Sequence, residues 1–313
     1  MQTAVLMKRY VLRAVFALVA LVLLVPAHAQ PQDDSEKVLR VCEDPNNLPF
    51  SHRSGEGFEN KIAELLARDL GWKLEYTWFP QRIGFIRNTL RAYERDSGRY
   101  KCDLVIGLPA GYELASMTKP YYTSTYALVY ARGRKLGDAR FSTPDELLRV
   151  DPQVLRSLKI GVVAQTPGVD WLLKHGLYDQ AVAYQRQTGD PEQYPGQIVE
   201  LDLAEGKIDA AIVWGPIAGY FARRVKSPEL VVVPFPTAPD IKFDYSIGMG
   251  VRFGEREWKA QVEQLIERNR AGIRKILTEY GVPLLDERGQ PMRSEGERGT
   301  PANRAGERRP GAS

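Results

Sequence analysis

Residues 40–51, RVCEDPNNLPFS, and residues 102–133, CDLVIGLPAGYELASMTKPYYTSTYALVYARG, decide the fold. In each, a short apolar strand runs directly into a polar loop containing proline. Open α/β sheets bind their ligands outside the carboxyl ends of such strands, so both loops are placed on one binding side. Working outward, Leu39 to Glu43 reads as a strand, Phe58 to Leu70 as a helix with Phe58, Ile62, Leu65, Leu66 and Leu70 on one face, and Leu74 to Phe79 as a second strand. Ile83 to Arg95 repeats the helical period, and Asp103 to Gly107 is a third strand. This alternation predicts a mostly parallel sheet wound by right-handed crossovers.

The chain is next extended and apolar from Tyr126 to Ala131, and a second α/β unit follows. Its strands are expected at Lys159 to Val163, Ala181 to Tyr184, Ala210 to Trp214 and Leu230 to Phe235, with helices near Val169 to His175, Gly196 to Glu205 and Ile217 to Arg224. A further extended segment, Tyr245 to Phe253, precedes one long closing helix, Trp258 to Tyr280. A unit entered and left through two extended segments predicts two lobes, 30–130 with 240–287 and 131–239, joined by a two-stranded hinge over a cleft.

The termini read differently. Residues 1–29 have a basic start, an apolar stretch of twelve residues and Ala27-His28-Ala29, the pattern of a cleaved secretory leader too short to span a membrane. Residues 288–313 carry six arginines and three glutamates with little apolar content, and are expected to be a disordered tail. The whole chain has a net charge of +4, of which leader and tail contribute three each, so the body carries about −2. Basic clustering of the kind that binds nucleic acid is not found on it.

Cys42 and Cys102 are the two cysteines, and after export an oxidising compartment favours their pairing. Such a bond would contribute about 4 kcal/mol in the chain-entropy model. Opposing this, Cys42 is late in its strand and Cys102 just precedes another, so parallel strands in simple register would hold them apart.

The order of elements and the markers Asp44 to Phe50, Gly57 to Ile62, Asp103 to Gly107, Pro120-Tyr121-Tyr122 and Glu205 to Ile212 resemble the type II periplasmic solute-binding proteins, receptors of ABC transporters. The resemblance covers Val38 to about Gly281. Amino-acid receptors of that family clamp the ligand carboxylate with an arginine after the third strand and hold its ammonium with an aspartate in the second lobe. Gly111 and Trp214-Gly215 stand at those positions here, which speaks against an α-amino acid ligand. Together with YTWFPQRIGFIRNTL and DAAIVWGPIAGYF, the same stretches are similar to a narrower group, the J proteins encoded beside periplasmic methanol dehydrogenases. That resemblance implies a non-catalytic periplasmic accessory factor whose partner is a PQQ-dependent alcohol dehydrogenase, including the lanthanide-dependent type, with no cofactor of its own. A transport receptor for a small non-amino-acid solute is the competing reading.

The candidate contact residues fall into three groups. Asp44, Asn46, Asn47 and Phe50 follow the first strand, where turn formation is an equal claim on the polar ones. Gln81, Arg82 and Phe85 follow the second, where Arg82 has two roles open: clamping an anion or pairing with an aspartate of its own lobe. Tyr112, Tyr121, Tyr122, Tyr126, Trp214 and Tyr245, with Thr166, supply a mostly aromatic set near the cleft and hinge, of which at least half are expected simply to pack the lobes. His52 and His175 have no companion at zinc-ligand spacing, and Glu43, Asp44 and Asp103 read as scattered carboxylates. A dehydratase reading would use Glu113 as acid, but Gly111 removes the clamp it needs.

Overall fold

The structure is a computed structural model describing residues 37–185 and 192–292; the expected leader and the end of the tail lie outside the described residues. β1 (Val38–Glu43) is followed by α1 (Phe58–Leu70), which buries Phe58, Ile62, Ala63, Leu66 and Ala67 along one stripe. The helix ends where Gly71 enters the left-handed region at φ 67° and donates back to Ala67 and Arg68. The chain then returns as β2 (Lys73–Trp78), parallel to β1 from Val38 opposite Lys73 to Glu43 opposite Trp78.

The next segment departs from expectation. Only α2 (Phe85–Asn88) is helical within 83–95, because Gly84 precedes it at φ 91° and Ile83, the first apolar residue of the supposed stripe, is 94% exposed. Tyr93–Glu94 instead pairs antiparallel with Arg99–Tyr100. Cys102 is bonded to Cys42, their Cα atoms 5.5 Å apart. The expected separation does not arise because the parallel pairing begins only with Val41 opposite Leu104, leaving Cys102 off the ladder and free to lie against β1. β3 (Val105–Pro109) follows.

β4 (Tyr122–Ala131) is the central strand, and its two halves serve different cores. The second half is flanked by a unit made of β5 (Ile160–Val163), α3 (Pro167–Lys174), β6 (Ala181–Tyr184), β7 (Ala210–Trp214), α4 (Gly215–Arg224) and β8 (Leu230–Pro234), while β9 (Asp244–Val251) flanks the first half. One sheet therefore runs β6-β5-β7-β4-β9-β3 through both halves of the molecule. The helix expected at 196–205 is present over 197–205, wound as a π-helix at Ile198–Leu203. Leu39, Phe58, Ile106, Ile247, Met249 and Leu265 share one core, whereas Leu128, Tyr130, Trp171, Ile212, Ile241 and Phe243 share another. Along β4 the membership passes from the first core at Tyr122 to the second at Leu128 and Tyr130.

The closing helix is two helices, α5 (Arg256–Arg268) and α6 (Arg270–Glu279), broken at Asn269, whose amide binds Asp69 at 2.7 Å and the Leu265 carbonyl at 3.0 Å. Residues beyond Gly281 form a third crossing between the cores. Leu284 bridges Ser124, Leu285 N–H donates to Thr123 at 3.0 Å, and Thr237 N–H donates to the Gly289 carbonyl at 3.1 Å. Residues 288–292, expected in the tail, are thus ordered: Asp286 accepts from the N–H groups of Arg288 and Gln290 in a turn that returns Met292 to Leu284.

α4 lies directly on this third crossing. A Cβ on Gly219 would stand 1.8 Å from the Gly281 carbonyl oxygen, and one on Gly215 would stand 2.2 Å from the Thr125 carbonyl oxygen. Around that contact Arg223 donates to the carbonyls of Thr278 and Glu279, both at 3.1 Å, and the Tyr220 and Tyr280 rings stack at 5.6 Å. Gly219→Ala is expected to lower stability by roughly 2–3 kcal/mol through overpacking against backbone that has nowhere to move. Urea unfolding of the variant beside an exposed helical control such as Lys275→Ala checks this; equal midpoints would contradict the close contact.

Candidate functional site

The carboxyl ends of β1, β2 and β3 in the first half face the end of β7 in the second, and the seam is walled by rings. Tyr126 on β4, Trp214 at the end of β7 and Tyr245 on β9 meet edge to face, with centroids 5.4, 5.8 and 6.5 Å apart. Each comes from a different strand of the shared sheet, so the cluster exists only because β4 and β9 cross together. At Gly215, beside Trp214, the 2.2 Å approach of the Thr125 carbonyl oxygen to a Cβ position leaves no room for any side chain. Gly111, at the arginine position, is held at φ 83°, a conformation side chains enter only under strain.

The polar candidates at the first strand end are tied to one another. Asp44 accepts from the N–H groups of Asn46 at 2.8 Å and Gln81 at 2.5 Å, and Asn47 donates to the Gln81 side chain at 2.7 Å. Asn46–Asn47 pairs with Ser51–His52 in a short ladder. Turn chemistry thus accounts for this group and draws the loop after β2 against the loop after β1. Arg82 lies over the Phe79 ring at 5.8 Å, a third outcome beside the anion clamp and the aspartate pair.

Several of the aromatic candidates are core residues. Phe50 packs edge to face on Phe58 at 5.4 Å, Tyr122 is buried beside the same ring, and Phe85 closes a small core with both cysteines, Ile86 and Leu90. Tyr112 packs on that small core. Tyr121 is half-buried, its hydroxyl donating to the Ile106 carbonyl at 3.4 Å. Thr166 is buried at the start of α3 and donates to the Val163 carbonyl at 2.7 Å. Its neighbour Gln165 takes φ 60°, the one left-handed non-glycine among the described residues, at the strand end of the second half.

Beneath the strand ends lies a feature that sequence reasoning missed. Glu43, the last residue of β1, and Glu59, in the first turn of α1, are a hydrogen-bonded pair of buried carboxyls, 2% and 7% exposed. Burial pushes the Glu59 carboxyl up to about 8 and drives Glu43 well above the usual range, the neighbouring Glu59 charge adding to the effect. Ser51, Asp44, Tyr76, Tyr121 and Tyr122 face the pair, and no cationic side chain figures among the groups acting on it. The backbone makes room for it at Gly107 of β3, where a Cβ would stand 1.9 Å from a Glu59 carboxyl oxygen. The signal in the sequence was weak: an acid in a first helical turn reads as a partner of the helix dipole.

With this geometry in place, known proteins give the comparison its context. No protein-family model matches the chain. Protein MoxJ of Paracoccus denitrificans is 31% identical over 261 residues, covering 79% of this chain and 89% of that protein. The chain belongs to the MoxJ family. The solved structure of periplasmic binding protein XoxJ from Methylobacterium extorquens AM1 is 38% identical, with a TM-score of 0.62 over 80% of this chain and all of that one. MxaJ from Methlophaga aminisulfidivorans MPT superposes with a TM-score of 0.63 over 79% of this chain and all of its own, at 22% identity, a likeness of fold alone. The fold of this MoxJ-family chain is that of the type II periplasmic binding proteins. Among the described residues, no helix is long and apolar enough to cross a membrane.

The buried pair sets a pH dependence. The unfolded Glu59 loses its proton near 4.5 and the folded one keeps it until about 8, so between these values the unfolded chain binds fewer protons and stability falls as pH rises. Below 4.5 the contribution is flat. Glu59→Gln should flatten this window by an amount on the order of a few kcal/mol, seen as a smaller loss of unfolding free energy between pH 5 and 8 than in the wild type. An identical slope in both proteins would show that Glu59 ionises freely.

Proposed function

We propose that this protein is a periplasmic accessory factor of a PQQ-dependent methanol or alcohol dehydrogenase, the lanthanide-dependent type included, and that it binds the enzyme without catalysing a reaction. Membership of the MoxJ family supports the association with methanol oxidation. The observation that carries the reading is the seam. Where a solute receptor holds a charged ligand, this protein has Gly215 against the backbone of β4 and the mutually packed rings of Tyr126, Trp214 and Tyr245. A receptor also couples ligand contacts to hinge closure, and a link of three chain crossings with a glycine-to-backbone contact at its side opposes such bending.

Two measurements test the proposal together. Binding of the purified protein to the holo methanol dehydrogenase of the same organism is expected in sedimentation or surface-immobilised assays, with a rise in the active fraction of enzyme reconstituted in its presence. Amino acids and other small solutes are expected to leave its melting temperature unchanged. A transport receptor would instead gain about 2.7 kcal/mol at a ligand concentration one hundred times Kd. Such a gain, with no affinity for the dehydrogenase, would overturn the accessory role.

A further inference from the structure

The surface best built for a protein partner lies away from the seam, at the other end of the first half. There Tyr93–Glu94 and Arg99–Tyr100 form a hairpin with Tyr93 opposite Tyr100, their rings edge to face at 5.1 Å. An isolated two-stranded hairpin is marginal in water, and this one is clamped at both ends. Arg252, just past β9, donates to the carbonyls of Leu90 at 3.2 Å and of Cys102, the residues on either side of the hairpin segment, while the disulfide holds Cys102 to β1. The same guanidinium is fixed by Asp103 at 2.9 Å and Glu255 at 2.6 Å, and lies 4.3 Å from the centroid of the Tyr100 ring.

Continuous with Arg252 is an open cavity of about 590 Å³ walled by Trp72, Trp258, Asp103, Gly254 and Arg256 among others. The two indoles stack at 5.8 Å with planes 7° apart, and Trp258 is anchored through its N–H to the Asp103 carbonyl at 3.0 Å. Tyr93 is 54% exposed and Phe253, beside the cavity in sequence, 62% exposed. Rings so exposed contribute little to the core. Tyrosine, tryptophan and arginine gathered in one fixed patch are the composition of a binding hot spot.

Charge indicates the partner. Residues 91–101 carry four basic side chains, Arg91, Arg95, Arg99 and Lys101, against Glu94 and Asp96, on a body whose net charge is about −2. The cavity wall itself sets Asp103, Glu255 and Glu257 against Arg252 and Arg256, with Arg252 committed to Asp103 and Glu255, so the excess positive charge is that of the hairpin alone. We propose that this hairpin and the Trp72–Trp258 cavity form the docking face for the dehydrogenase, receiving a surface whose carboxylates meet the hairpin and whose adjoining apolar side chain fills the cavity. This inference rests on the accessory role argued above and assigns it a place on the molecule. The rigid clamp by Arg252 and the disulfide means that little ordering remains to be done on association.

The experiment measures Kd for holo methanol dehydrogenase of the same organism with four proteins: wild type, Phe253→Asp, the double variant Arg95→Glu with Lys101→Glu, and Leu173→Asp on the second half as a matched control. All the changed side chains are exposed, and melting temperatures check that each variant is folded. Phe253→Asp and the charge-reversal variant are each expected to raise Kd at least ten-fold, Leu173→Asp to change it less than two-fold, and wild-type affinity to fall several-fold as salt is raised. Wild-type binding with all variants equal, or equally weakened, overturns the docking face and leaves the accessory role standing. No wild-type binding overturns both.

Discussion

At Gly215 and Gly219 the backbone of α4 approaches other backbone so closely that no side chain fits, and the relation between the two halves of the molecule follows from that contact. With Cβ atoms there, α4 would have to lift from the Thr125 carbonyl and from Gly281. The Tyr220–Tyr280 stack and the Arg223 bonds to the end of α6 depend on the same approach. Bending the halves apart about β4 and β9 would break these contacts together with the bonds of residues 284–292 to β4 and to Thr237. A fold whose usual property is hinge motion is thereby braced on one side.

The bracing bears on the chemistry of the seam. Once Trp214 is fixed between Tyr126 and Tyr245, the strand ends present rings, and the acids lie underneath with their charge suppressed by burial. Desolvation raises both Glu43 and Glu59, and the Glu59 charge raises Glu43 further, so the protonated form is the one that packs. Gly107 leaves the space they occupy. The carboxyls are therefore better understood as a neutral hydrogen-bonded element in the floor of the first half than as a cation grip.

The parts of the fold that local pattern dictates were legible in the chain. α1 matched its expected span because a full apolar stripe, a first-turn acid and a terminal glycine agree, and β6 and β7 were bounded by clear breaks. Residues 83–95 misled because Ile83, Ile86 and Leu90 mimic a helical face, while the turn residues Asp96-Ser97-Gly98 that close a hairpin were passed over. The closing helix gave no period change at Asn269; a contact with Asp69 two hundred residues away ends it. At the site, Gly111 and Trp214-Gly215 could be singled out from the sequence, and the structure adds the left-handed φ of the first and the crowding at Gly215. The carboxyl pair could not, since its meeting depends on β1, α1 and β3 converging. Gly219 was the overlooked sign: an isolated glycine within a good helical pattern usually marks a close approach.

Contacts that oppose bending favour action through surfaces already formed. In a transport receptor the free energy of ligand contacts is expressed as closure, and the permease recognises the closed shape. To the extent that such a brace opposes closure, seam contacts select less between two arrangements, and recognition of a partner rests more on what the braced arrangement displays. The disulfide and Arg252 add order to the outer face of the first half in the same sense, holding a short hairpin that would not persist alone. Rigid, aromatic and locally basic, that face loses little conformational entropy when covered, and an affinity built on it would be independent of anything placed in the seam.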